Sequence, residues 1–333
     1  LRLTFLGTGA AEGFPALWCR CQRCQTARAR GGRNLRFRSA ALINDDLLLD
    51  VGPDLVAAAV RLGLDLAPVQ ALLVTHPHSD HLDPTVLMWR RKGFVTTPLP
   101  PLQLYGSART IERATRPEGQ AAAPESLRVI PHAFRPFQRF EVATGGPPQP
   151  DPRFPDHPQP VPETPRRRYE VWTLGASHAR PEDEACIFVV RQVEGPEVQP
   201  GGEERVEGPQ AGGPGGDGPG AGGARALLYA TDTGPFPPET WEALDRLGAE
   251  GLRLQATAVD STLGDGPDGT GHMSVHQMAA HQEELARRGL LAPGARRLGH
   301  HFSHGRTPPY EELCAILEPR GIEVAYDGLS LTL

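Results

Sequence analysis

Ala71-Leu72-Leu73-Val74-Thr75-His76-Pro77-His78-Ser79-Asp80-His81 is the stretch on which the reading of this chain turns. It opens with an apolar run of strand length. The six residues that follow hold three imidazoles and one carboxylate. A strand end is a rigid platform, and a short loop leaving it can aim several side chains into one cleft. Imidazole nitrogen and carboxylate oxygen are borderline-to-hard donors that suit Zn²⁺, Mn²⁺ or Fe²⁺. The plain alternative is a surface histidine cluster that binds nothing, and only matching context elsewhere in the chain separates the two.

The context matches. Four side chains cannot fill two metal sites, so further donors must arrive from distant segments. His178 follows an apolar run at 170–174, Asp232 follows one at 226–230, and His301 follows the segment 296–299. Taken singly, each is as well explained as a turn residue or a cap. As a set recurring at strand ends they read as ligands. His300 competes with His301, and the spacing to His304 favours His301.

Short apolar runs alternate with helical patterns along the rest of the chain. Strands are expected at 3–6, 40–43, 47–50, 71–75, 170–174, 185–193, 226–230, 256–259 and 323–326, and helices at 53–62, 84–91, 238–247, 275–288 and 308–317. Proline stands at most of these helix starts, where its missing N–H would be unpaired anyway. The strands are too many for a bundle and too often interrupted by helices for an all-β protein. Two packed sheets with helices outside fit this order.

At 333 residues, 39% of them apolar and 22% charged, the chain can bury a substantial core. Glycine (38) and proline (35) are concentrated in two places. Residues 194–224 are almost all Gly, Pro, Glu and Gln, too poor in apolar anchors to offset their ordering entropy, and are expected to be a disordered loop. Residues 145–165 read as an extended, proline-rich surface connection. Both are flanked by strand-like runs, so one domain over 1–333 with two insertions is expected. A net charge of −6 gives no sign of a nucleic-acid or membrane partner. No apolar run approaches bilayer length, and 1–6 reads as a strand and not a secretory signal, so a cytoplasmic protein is the default expectation. A homodimer is left open.

Cys19-Arg20-Cys21-Gln22-Arg23-Cys24 places three of the five cysteines within six residues. Thiols this close pair poorly as disulfides, whereas Zn²⁺ takes them readily in a closed tetrahedral site. His304, three residues after His301, is the candidate fourth ligand. One short segment would then serve two sites and tie the N-terminal loop to the rim of the first. Three ordinary reduced cysteines are the bland alternative. Gly271-His272-Met273-Ser274 opens the helix at 275–288, where His272 could cap it, be solvated, or, if the loop reaches the metals, donate a proton to a leaving alkoxide. Arg36 and Arg38 are equally open: they could bind a substrate phosphate or be solvated charges.

The pattern resembles the metallo-β-lactamase superfamily, from residue 3 to residue 327 apart from the two insertions. The resemblance implies an αβ/βα sandwich of two mixed sheets with outer helices and a dinuclear site along one edge. It implies that His76, His78 and His178 hold one divalent metal, Zn²⁺ or Mn²⁺, that Asp80, His81 and His301 hold the second, and that Asp232 bridges them. Asp50, in Leu49-Asp50-Val51-Gly52, matches the early Asp that supports the site from behind. Two cations sharing a water lower its pKa enough to supply hydroxide near neutral pH. Asp80 and His272 are the catalytic candidates.

Within the superfamily the chain resembles the carbon–phosphorus lyase accessory phosphodiesterases, the PhnP family. The matching stretches are Gly7-Thr8-Gly9, Cys19-x-Cys21-x2-Cys24, the His76 motif, Ser177-His178, Thr231-Asp232-Thr233, Gly271-His272, His301-x2-His304 and Tyr326-Asp327-Gly328. This resemblance implies a structural zinc on Cys19, Cys21, Cys24 and His304, and hydrolysis of a small phosphodiester, cyclic ribose phosphates included. Two other resemblances compete. A tRNA 3′-processing endonuclease, RNase Z, shares the metal motif but does not depend on the cysteine cluster, and no basic arm for tRNA is found here. The pyrroloquinoline-quinone biosynthesis protein B resembles Gly13-Phe14-Pro15 and the cysteines but departs from the full histidine motif. A non-hydrolytic metal-binding protein is the alternative of another class.

Overall fold

The computed structural model describes residues 1–116, 123–147, 149–157, 161, 163–178, 180–193 and 225–333. The stretch 194–224, expected to be disordered, lies outside them. In chain order the strands are β1 (Arg2–Gly7), β2 (Ala40–Ile43), β3 (Leu47–Leu49), β4 (Ala71–Leu73), β5 (Leu102–Gly106), β6 (Val129–Ala133), β7 (Arg139–Gly146), β8 (Thr164–Gly175), β9 (Cys186–Val193), β10 (Arg225–Ala230), β11 (Arg253–Asp260), β12 (Leu291–His300), β13 (Glu323–Val324) and β14 (Ser330–Thr332). The helices are α1 (Gln22–Arg30), α2 (Leu55–Leu62), α3 (Pro84–Met88), α4 (Ala108–Ala114), α5 (Pro124–Leu127), α6 (Pro238–Ala249), α7 (Val275–Arg287) and α8 (Tyr310–Leu317).

The strands form two seven-stranded sheets, ordered β14-β1-β2-β3-β4-β5-β6 and β13-β12-β11-β10-β9-β8-β7. Each sheet is mixed. Pairings from β14 to β3 are antiparallel and those from β3 to β6 parallel. In the second sheet β7 to β10 pair antiparallel and β10 to β13 parallel.

Alternation along the strands explains the layering. Leu227 and Tyr229 of β10 point into the space between the sheets, with Phe5, Ile43, Leu73 and Phe188. Their neighbours Ala226, Leu228 and Ala230 face outward, under Leu244 and Leu247 of α6, Met278 and Leu285 of α7, and Leu313 and Leu317 of α8. On the other side, Leu42, Leu48, Leu72 and Leu104 meet Leu55 and Ala58 of α2, Leu87 of α3 and Leu127 of α5. The result is helix, sheet, sheet, helix. Among the described residues no helix is long and apolar enough to cross a membrane.

The segment 145–165 differs from the expectation of an extended surface connection. Its two ends are strand, with Gly146 paired to Thr164. Between them Asp151 is buried, accepting from Arg128 Nη1 at 2.9 Å, Arg153 Nη2 at 2.7 Å and the Leu99 amide at 3.2 Å. That carboxylate anchors the proline-rich segment to the body of the fold.

Candidate active site

The site lies beyond the carboxyl ends of the parallel strands, where an open α/β sheet leaves room for a ligand. Asp50 follows β3, Thr75 and His76 follow β4, Asp232 follows β10, Asp260 ends β11, and His301 follows β12. Asp50, Asp232 and His301 have φ of 61°, 51° and 59°, the left-handed region. Non-glycine residues there cost about 1–3 kcal/mol each, tolerated where the surroundings hold them in place. The turns are closed by two contacts that only glycine permits. A Cβ on Gly52 would lie 2.1 Å from the Asp80 carbonyl oxygen, and one on Gly234 would lie 1.8 Å from that of Thr270. Gly52 thus lets the Asp50 turn meet the His76 loop, and Gly234 lets the Asp232 turn meet the loop carrying His272.

All seven side chains expected as ligands converge. His76, His78, His178 and Asp232 form one group of donor atoms lying within 4.8 Å of one another, and Asp80, His81, Asp232 and His301 form a second. Asp232 belongs to both. Its Oδ2 lies 3.3 Å from His76 Nε2, 3.3 Å from His81 Nε2 and 3.2 Å from His178 Nε2. His178 Nε2 is 3.2 Å from His78 Nδ1, and His81 Nε2 is 3.3 Å from His301 Nε2 and 3.2 Å from Asp80 Oδ2. Ligands about 2.0–2.1 Å from a tetrahedral cation stand roughly 3.4 Å from one another, so the spacing fits a metal. His76 Nε2 is buried and faces the Asp232 carboxylate 3.3 Å away with no aligned hydrogen bond, as a donor reserved for a cation would be. Burial pushes the Asp232 carboxyl up, but His301, His272, His76 and His81 outweigh it and hold it well below the usual range. Burial and the neighbouring His81 lower His76 to about 4, leaving a neutral imidazole.

Asp50 stands behind the cluster. It is fully buried, and its Oδ2 takes the Nδ1 side of His81 at 2.8 Å, leaving Nε2 toward the centre. Its Oδ1 accepts from the Thr75 amide at 2.8 Å. His300 is not part of the set: its ring packs against Phe5 and Tyr229, and its Nδ1 meets Thr231 Oγ1 at 3.2 Å. His272 does reach the cluster. Its Nδ1 lies 2.9 Å from Asp232 Oδ1 and 3.8 Å from Asp260 Oδ2. It does not cap α7; Ser274 does, in a capping box with Gln277.

Arg36 and Arg38 are committed elsewhere. Arg36 is buried, donating to Thr8 Oγ1 at 2.7 Å and to the Ala325 carbonyl, over the Phe302 ring. Arg38 pairs with Asp54 at 2.8 Å. Neither is a free phosphate anchor.

Asp260 was missed in the sequence. It is fully buried, accepts from the Thr262 and Met273 amides, and sets Oδ2 3.2 Å from His301 Nδ1. The signal was present: it stands at a strand end like the others, one residue beyond the apolar run at 256–259.

The second cluster joins Cys19, Cys21, Cys24 and His304. His304 Nδ1 is 3.3 Å from Cys24 Sγ and 3.8 Å from Cys21 Sγ, and no disulfide forms. Cys21 also starts α1, its sulfur accepting from the Cys24 amide at 3.5 Å. That amide and His304 pull the Cys21 thiol down to about 6, toward the thiolate that binds metal. His304 Nε2 faces Glu12 Oε1 at 3.4 Å. The link to the first cluster is short, because Phe302 exchanges backbone hydrogen bonds with Thr8 and Ala10 of the N-terminal loop.

A four-layered αβ/βα sandwich of two mixed sheets, with this donor set at the strand ends, is the metallo-β-lactamase fold. The model of the β-lactamase superfamily domain matches residues 46–154, which include Asp50 and the His76 motif. Within that class the chain is similar over its whole length to a diphosphatase of the PhnP family, at 20% identity, covering 100% of this chain and 97% of the other with a TM-score of 0.60. It is similar to the Zn²⁺-bound PqqB of Methylobacterium extorquens at 18% identity, covering 100% of both with a TM-score of 0.60. The short form of human tRNase Z aligns over 100% of this chain and 99% of that one, at 14% identity and a TM-score of 0.50. Among curated proteins, an octanoyltransferase of Porphyromonas gingivalis (strain ATCC BAA-308 / W83) is 32% identical over 100 residues. That match spans 28% of this chain and only 19% of the length of the relative.

Proposed function

We propose that the chain is a metal-dependent phosphodiesterase acting on a small phosphodiester, cyclic ribose phosphates included. The observation that carries this reading is Asp232 Oδ2, within 3.3 Å of three imidazole nitrogens and common to both donor groups. A carboxylate shared in this way supports a dinuclear centre. His76, His78 and His178 would hold one cation and Asp80, His81 and His301 the other, with Asp232 between them. Two bound Zn²⁺ or Mn²⁺ ions supply Lewis acidity and a water acidic enough to ionise near neutral pH.

The chain's own groups do the rest. Asp50 and Asp260 orient His81 and His301 from behind. His272, beside Asp232 and partly open to solvent, is placed to hand a proton to the leaving oxygen. The cysteines with His304 would hold a structural zinc and fix the N-terminal loop. Lactams, thioesters and lactones suit the same machinery. The full-length likeness to a PhnP-family diphosphatase favours a phosphorus centre over a carbonyl one, and the resemblance of the motifs and the cysteine cluster to the PhnP phosphodiesterases supports the diester.

The test is hydrolysis of bis(p-nitrophenyl) phosphate by protein loaded with Mn²⁺ or Zn²⁺, with a lactam run alongside. Diester cleavage that is abolished in Asp80→Ala, with the lactam untouched, is expected. Full metal occupancy without diester cleavage would move the reading to another ester class or to a non-hydrolytic role.

A further inference from the structure

The turn that leads into the cysteine cluster carries two neighbouring apolar side chains in open water: Leu17 is 73% and Trp18 93% exposed. Neither sits on a loose loop. The Cys19 amide closes the turn on the Ala16 carbonyl at 3.2 Å, and a single guanidinium, that of Arg28, donates to both the Ala16 and the Cys19 carbonyls at 2.8 Å. Gln25 Nε2 bonds the Arg20 carbonyl, and Phe14 and Ala16 pack with Cys24 and Ala27 beneath. The tip is thus fixed before anything covers it, which lowers the entropy cost of docking.

The other flank of α1 borders a groove of about 700 Å³, with Thr26, Pro308, Pro309 and Ile316 among its walls and Asp265 and Glu312 beside them. Gln22, Thr26 and Arg30 face it at i, i+4 and i+8, whereas Gln25 and Arg28, which hold the tip, lie roughly a third of a turn round the helix. The exposed ridge between the two stripes carries Ala29, small enough to let another surface come close. The two flanks differ in charge. Among the described residues no carboxylate lies within ion-pair distance of the Arg20 or Arg28 guanidinium, and the stretch 13–44 holds seven arginines and no acidic residue. At the groove Arg23 and Arg30 meet three carboxylates, those of Asp265, Glu311 and Glu312, at 3.1–3.2 Å.

We propose that the Leu17–Trp18 tip docks into this groove on a second copy of the chain, the two copies exchanging tips about a two-fold axis that runs along the α1 ridge. Such an axis carries one flank of the helix onto the other. Each basic, apolar tip then meets a groove with an excess of carboxylate, and the contact closes as an isologous dimer. One Trp18 buries about 150–250 Å². With the walls that cover them, the two indoles supply about half of the roughly 1,600 Å² of a stable interface, and Leu17 and the α1 ridge add to it. Tryptophan seated in a desolvated pocket is among the side chains that most often carry an interface. Docking of this kind needs neither metal nor substrate at the histidine cluster, so it is independent of the phosphodiesterase reading.

Sedimentation equilibrium of the full chain tests it. The wild type is expected to be dimeric at about 50 µM, above the micromolar limit of interfaces of this size. The tip variant Leu17→Ser/Trp18→Ser and the groove variant Ile316→Arg both alter exposed side chains. Each should dimerise about a hundredfold more weakly, as for a lost interface anchor, with the thermal melt of the wild type. An equimolar mixture of the two variants keeps one intact tip for one intact groove and should dimerise more tightly than either variant alone. A mixture no tighter than its components, or a dimer that persists in both variants, overturns the proposal. So does a wild-type monomer at that concentration. Pelleting of such a monomer with phosphatidylglycerol vesicles, lost in the tip variant, would assign the tip to an anionic lipid surface instead.

Discussion

Asp50→Asn isolates what one buried charge does for the proposed metal centre. Asn tolerates the left-handed backbone that Asp50 adopts at φ 61°, so the turn is kept without new strain. Its amide oxygen can still accept from the Thr75 N–H, now bonded at 2.8 Å. What is lost is the negative charge facing His81 Nδ1 at 2.8 Å, in a position with no exposure to water. A hydrogen bond to a charged group is worth about 1.5–3 kcal/mol. That is roughly ten- to hundredfold in an affinity, and it agrees with the usual cost of removing a carboxylate behind a metal-bound histidine. The assay is competition with a chromophoric chelator for Zn²⁺, run beside diester turnover, with circular dichroism to confirm the fold. Affinity and rate both within about threefold of wild type would refute the argument that Asp50 sets the His81 tautomer, since even the lower bound exceeds that.

His272→Ala is expected to slow turnover by about 10²–10⁴-fold, as for a lost general acid, with metal content unchanged; loss of metal in that variant would remove the assignment. Cys21→Ala should lower zinc content and thermal stability together, and full retention of both would refute the structural zinc. Asp151→Asn should destabilise the fold by about 3 kcal/mol, because it leaves two mostly buried guanidiniums without their counter-charge. Burial raises the Asp151 carboxyl, but Arg153, the Leu99 amide and Arg128 outweigh it and hold it well below its usual value. Its contribution is therefore complete above the unfolded value of about 3.9 and fades as the pH falls below it. Denaturant curves for the two proteins should differ most at pH 7 and draw together below about pH 4; a constant gap would contradict this.

The convergence of the seven candidate ligands was legible because each follows an apolar run, and strand ends are where the fold gathers side chains. The cysteines were legible from spacing alone. Other elements were hidden by the residues that shape them. β12 carries Pro293 and Gly294, the latter at φ 73°, and two arginines, so its apolar signal survives only near its end. β6 is an edge strand containing Pro131, which an edge tolerates and a pattern search rejects. α1 buries only Cys24 and Ala27, so it shows almost no amphipathic stripe; its start is set by the Cys21 sulfur. Asp260 escaped because an apolar run does not announce which side of its boundary matters.

His301 and His304 stand three residues apart, one in each cluster, with the Phe302 backbone bonded to the N-terminal loop between them. Zinc at the cysteines would thus restrain the segment that presents His301, and metals at the first cluster would restrain the segment that presents His304. Linkage would make such an effect reciprocal: whatever zinc at the cysteines added to metal affinity at the first cluster, metal at the first cluster would return to the cysteines. An oxidant that reaches the exposed Cys21 would then be felt as weaker metal retention at a centre it never touches.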